Sequence, residues 1–92
     1  MPQVFRIGAY TVYFWSNEER PKEPVHVHVC EGSPKENSTK IWITRAGKCV
    51  LCHNHAKIPL HQLRNIMDII EAQSNEIIEK WEHFFGIATY YC

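Results

Sequence analysis

The chain has 92 residues, 45% hydrophobic and 12% aromatic, which is too apolar for a disordered chain and enough for one domain, 1–92, around one modest core. Ten basic and ten acidic side chains give a formal net charge of zero with histidine neutral. No overall field therefore draws the chain to nucleic acid or an anionic membrane, and contact with RNA or DNA would need a local patch.

Met1 to Gly8 has no basic leader joined to a long apolar run, so a secretory signal is not expected, and no apolar run reaches the length of a membrane span. A cytoplasmic protein is the expectation, with Cys30, Cys49, Cys52 and Cys92 as free thiols. Val4 to Ile7 and Tyr10 to Trp15 are rich in β-branched and aromatic residues, and Gly8-Ala9 between them predicts a tight hairpin. Ser16 to Glu23 is polar and, with Pro21 and Pro24, reads as a loop.

Pro24-Val25-His26-Val27-His28-Val29-Cys30 alternates strictly. On a β-strand the valines face a core while His26, His28 and Cys30 share the other face, their backbones about 7 Å apart per two-residue step. That spacing suits a shared ligand, and it predicts imidazoles at least partly open to solvent. Glu31 to Ser38 is a second polar loop, and Thr39 to Thr44 and Lys48 to Cys52 form a hairpin about Ala46-Gly47.

After Pro59, suited to the first turn of a helix, Leu63, Ile66, Met67, Ile70, Ile77, Ile78, Trp81, Phe84 and Phe85 recur at three- and four-residue steps. Ser74-Asn75 interrupts the stripe, leaving one long helix or two shorter ones open, and Gly86 ends it. The expected fold is α+β: about five antiparallel strands in a meander, packed by one long or two short C-terminal helices.

Several patterns bear on chemistry. His26 and His28 could act as base and acid in hydrolysis, hold a metal with further ligands, or serve only in binding. Arg6 and Arg20 could contact an anion. Cys49-Val50-Leu51-Cys52-His53 fits a haem attachment pattern, but that chemistry belongs to exported proteins. A zinc site at Cys49 and Cys52 would lack the matching second ligand pair, so no metal and no cofactor are expected.

Met1-Pro2 with Val4 and Arg6, Tyr13-Phe14-Trp15-Ser16-Asn17-Glu18, Pro24 to Val29, and the stretch from Leu63 through Trp81 to Gly86 together resemble the small bacterial domain of unknown function numbered four-one-six-zero. The resemblance implies a compact α+β domain from bacteria or their mobile elements, often encoded beside a small partner in toxin–antitoxin-type pairs. It transfers Asn17, Glu18, His26 and His28 as signature positions. The segments Cys49 to His53 and Ser33 to Ser38 depart from the pattern.

The resulting expectation is a protein of a toxin–antitoxin-type module acting through association with a small cognate protein, and on RNA as a further option. A hydrolytic or metal-binding enzyme centred on His26 and His28, and an inhibitor from a phage or mobile element, are the alternatives. Asn17, Glu18, Arg6, Trp81 and Phe85 are the candidate binding residues, and Ile77 to Phe85 is the expected contact for a partner or for a second copy in a homodimer.

Overall fold

The computed structural model describes residues 3–15 and 23–92. Five strands, β1 (Gln3–Ile7), β2 (Tyr10–Tyr13), β3 (His26–Glu31), β4 (Thr39–Ile43) and β5 (Cys49–Asn54), precede two helices, α1 (Leu60–Ala72) and α2 (Ser74–Phe85). The strands form one antiparallel sheet in the order β1-β2-β3-β4-β5, so the expected α+β meander is the observed fold.

Each turn follows from local chemistry. Ile7 pairs with Tyr10, so the β1–β2 hairpin closes through the two residues Gly8 and Ala9. Between β4 and β5, Gly47 N–H donates to the Thr44 carbonyl at 2.9 Å and Lys48 N–H to Thr44 Oγ1 at 3.0 Å. Asn54 then fixes the exit from the sheet: its side chain accepts from Ile58 N–H at 3.0 Å and donates to the Ile58 carbonyl at 2.9 Å. Pro59 stands at the N-cap, and α1 starts at the next residue.

The helical stripe is divided, as one of the two open readings allowed. Gln73 both ends α1 and caps α2, and Ser74 starts the second helix with its side chain buried. Dividing the stripe lets Leu63, Ile66 and Ile70 of α1 and Ile77 and Trp81 of α2 meet the sheet from two directions. They close on Val4, Val12, Phe14, Val25, Val27, Val29, Ile41 and Ile43, all buried. No helix among the described residues is long and apolar enough to cross a membrane.

The β4–β5 turn is also a packing point against α2. Gly47 has φ of 83°, and a Cβ there would lie 2.8 Å from Ser74 Oγ. Gly32 has a similar φ of 78° with nothing within 4 Å. Gly47→Ala is therefore expected to lower stability by about 2 kcal/mol, from backbone strain plus the clash, and Gly32→Ala by about 1 kcal/mol from strain alone. Urea unfolding of the two variants compares them; equal losses would mean that the turn moves off α2 without cost.

Candidate functional site

Alternation on β3 sends the valines into the helical core and His26, His28 and Cys30 to the opposite face, as the pattern predicts. The His26 and His28 rings lie 5.0 Å apart at their centroids, edge to face. Register places Tyr13 of β2 beside His28, and Trp42 of β4 beside His26. The Tyr13 ring stacks on His28 at 5.7 Å, and Trp15 stands 6.3 Å from it. His26 meets Trp42 at 5.5 Å and Trp81 of α2 at 5.3 Å.

The expectation of accessible imidazoles is corrected: His26 is 1% exposed and His28 8%. Around His28 the β3–β4 connection turns back over this face and supplies polar partners, while Trp42 and Trp81 pack against His26. His28 Nδ1 lies 3.0 Å from Ser38 Oγ, Tyr13 O–H donates to the Lys35 carbonyl at 2.6 Å, and Cys30 S–H to the Ser33 carbonyl at 3.1 Å. Thr11 O–H donates to the Gly32 carbonyl. His26 Nδ1 is 2.8 Å from the Pro24 carbonyl. Burial raises the Tyr13 hydroxyl above its usual range, so the phenol stays a neutral donor.

Ser38 was not singled out in the sequence; its only signal is its place at the end of the polar loop. The loop of residues 32–38 thus lies over the histidine strand. The imidazoles serve as hydrogen-bonded members of a second, aromatic and polar layer.

Beyond β4 the same face continues into β5. A bulge between Lys40 and Ile41 sets Lys40 opposite His53 but Ile41 opposite Leu51. The His53 and His55 rings stack at 3.6 Å, 13° from parallel. Burial, first, and then the charges of His55, Lys40 and His28 hold the His53 imidazole below the usual value of 6.5. Lys40 pairs with Glu23 and lies 4.6 Å from the Trp42 ring centre.

The two cysteines of β5 sit in different surroundings. Cys49 S–H is 3.5 Å from the Met67 carbonyl, and burial, with Glu71 and Asp68 nearby, pushes its thiol up to about 12. Cys52 is exposed. No group of three or more His, Cys, Asp or Glu among the described residues could hold a metal ion.

The other sequence candidates are scattered. Arg6 is exposed on β1, an edge of the sheet, away from the histidine strand, which is separated from it by β2. Asn17, Glu18 and Arg20 lie outside the described residues. Trp81, expected as a contact, is 3% exposed and belongs to the core: it sits 5.3 Å from Phe14 and 4.3 Å from Phe85, and its Nε1–H donates to the Ile87 carbonyl at 3.0 Å. Phe85 is half-buried against Phe14.

The helix edge instead presents Phe84, 48% exposed, which lies inside the expected contact segment Ile77 to Phe85 but is not by itself one of the candidate binding residues. Phe84 borders an open cavity of about 390 Å³ between α2 and β1, lined also by Val4, Phe14, Glu79, Lys80 and His83. Lys80 Nζ donates to the Val4 carbonyl at 3.2 Å, tying the helix to the edge strand. The periodicity that marked Phe84 as apolar could not tell a rim position from a buried one.

A family model described as "Domain of unknown function (DUF4160)" matches residues 9–82, well over half of the chain. No curated protein and no solved structure gives a significant match.

His28→Ala removes the Tyr13 stack and the Ser38 hydrogen bond from a buried site, and should cost about 2–3 kcal/mol in urea unfolding. A loss below about 0.5 kcal/mol would return His28 to the status of a surface residue.

The low His53 value gives stability a pH dependence with a definite sign. The unfolded chain takes up this proton at higher pH than the folded one, so the contribution is full above the usual 6.5 and is lost as pH falls toward the lowered folded value. The urea midpoint should drop between roughly pH 7.5 and pH 5.5, and less steeply in His53→Gln. Identical slopes in the two proteins would remove His53 as a source.

Proposed function

From a chain that belongs to the DUF4160 family, we propose a small protein-association module of the toxin–antitoxin type, whose partner is a small cognate protein. One observation carries the reading: an apolar rim residue, Phe84, beside an open cavity floored by Val4 and Phe14 at an edge strand. A single projecting apolar side chain from a partner would fill such a cavity, and Glu79, Lys80 and His83 would form the polar border of the contact.

The hydrolytic alternative draws less support. Its two imidazoles are enclosed by tryptophans and by the Ser38 loop, where a substrate would first have to displace packed rings. Balanced charge gives no general attraction for RNA phosphate, so the reading rests on protein contact.

Co-expression with the partner that the proposal requires, a small protein encoded next to this chain, tests it. Stoichiometric co-purification is expected, with Phe84→Asp weakening the complex by about 2 kcal/mol, roughly 30-fold in Kd, while the unfolding midpoint stays close to wild type. Loss of a growth phenotype in a folded His28→Gln variant that keeps full partner affinity would support the enzyme instead. A chain that neither binds that protein nor affects growth overturns the reading.

A further inference from the structure

After Gly86, whose φ of 93° turns the backbone out of α2, residues 87–92 run back across the end of the sheet. Their docking is specific. Val25 N–H, just before β3, donates to the Thr89 carbonyl at 2.8 Å, and Arg45 N–H, just after β4, donates to the Cys92 carbonyl at 3.0 Å. Tyr91 lies flat on Trp42, 5.1 Å between centroids and 3° from parallel. The Arg45 guanidinium sits 4.7 Å from the centre of the Tyr90 ring.

These contacts make a peptide slot with two backbone donors, an aromatic platform and a cation. Its occupant is only partly committed to the core: Ala88 and Tyr90 pack against it and the Ile87 carbonyl accepts from Trp81 Nε1–H, whereas the side chains of Tyr91 and Ile87 are 57% and 60% exposed. The platform, Trp42, is in turn one of the rings against His26. The segment also lies beyond the residues matched by the family model, which ends at residue 82.

We propose that residues 87–92 are a displaceable strap occupying a peptide-recognition slot, and that the slot accepts in their place an extended segment of a partner protein bearing adjacent aromatic residues. The occupant's chemistry is defined by the strap itself. A carbonyl at the first position meets Val25 N–H, a carbonyl three residues on meets Arg45 N–H, and the two rings between them meet Arg45 and Trp42. A ring over a guanidinium and a ring on an indole select aromatic over aliphatic residues. Local opening of a segment held at its edge by two backbone hydrogen bonds and two packed side chains requires less free energy than global unfolding. This inference concerns a surface apart from the Phe84 cavity and does not depend on it.

Amide hydrogen exchange on the full chain tests the strap, and a synthetic peptide with the sequence of residues 87–92, serine replacing the cysteine, tests the slot. In the double variant Tyr90→Ala, Tyr91→Ala, the amides of Val25 and Arg45 should exchange at least about tenfold faster, while those of Val27 and Ile41 in the middle of the sheet keep their protection. Added peptide should shift the Val25 and Arg45 resonances of this variant and restore their protection, and should bind wild type, whose slot is filled, at least about tenfold more weakly. Unchanged exchange at Val25 and Arg45 would overturn the proposal, since the two rings would not then hold the strap. Equal acceleration at Val27 and Ile41 would overturn it as well, because the segment would be a fixed part of the core. So would a peptide that leaves the variant's resonances unmoved at millimolar concentration. None of these outcomes bears on whether Phe84 binds a partner.

Discussion

The central strand β3 must be covered on both faces, and most of the structure answers to that requirement. On one face Val25, Val27 and Val29 need apolar cover, which two helices provide. On the other, His26, His28 and Cys30 need cover that also carries hydrogen-bond partners, because a buried polar group left without one costs about 1–3 kcal/mol. A helix offers no free backbone groups along its sides. The β3–β4 connection does, and its carbonyls and Ser38 hydroxyl meet Thr11, Tyr13, His28 and Cys30.

This arrangement gives the molecule two layers of different chemistry on a single sheet. The helical side is held by apolar burial and tolerates compact repacking. The loop side is a set of aromatic contacts and hydrogen bonds whose members depend on one another, so His28 bears on Tyr13, Trp15 and Ser38 together. Residues 87–92 extend that second layer past the sheet's end, through Tyr91 on Trp42 and Trp42 on His26.

The margins of these layers differ from their centre. The rings at the centre are enclosed, whereas Phe84 at the edge of α2 and the strap over Trp42 leave apolar or aromatic surface where another chain could reach it. Both surfaces lie at or near the ends and edges of the sheet, where strand pairing stops and backbone or apolar groups remain to be covered.

The amino-acid sequence by itself determined the periodicities and the turns. Alternation in 24–30 assigned the valines and histidines of β3 to opposite faces, Gly8-Ala9 placed the first hairpin, and the interruption at Ser74-Asn75 marked where the helices part. Those signals are local, resting on side-chain spacing and backbone preference within a few residues. Burial on the far face of the sheet was decided only in three dimensions. Whether His26 and His28 meet water depends on where residues 32–38 and 87–92 return, and nothing near the histidines in the chain records that path. Likewise Trp81 and Phe84 share one apolar stripe, and only the direction in which α2 meets the sheet puts the first in the core and leaves the second at its rim.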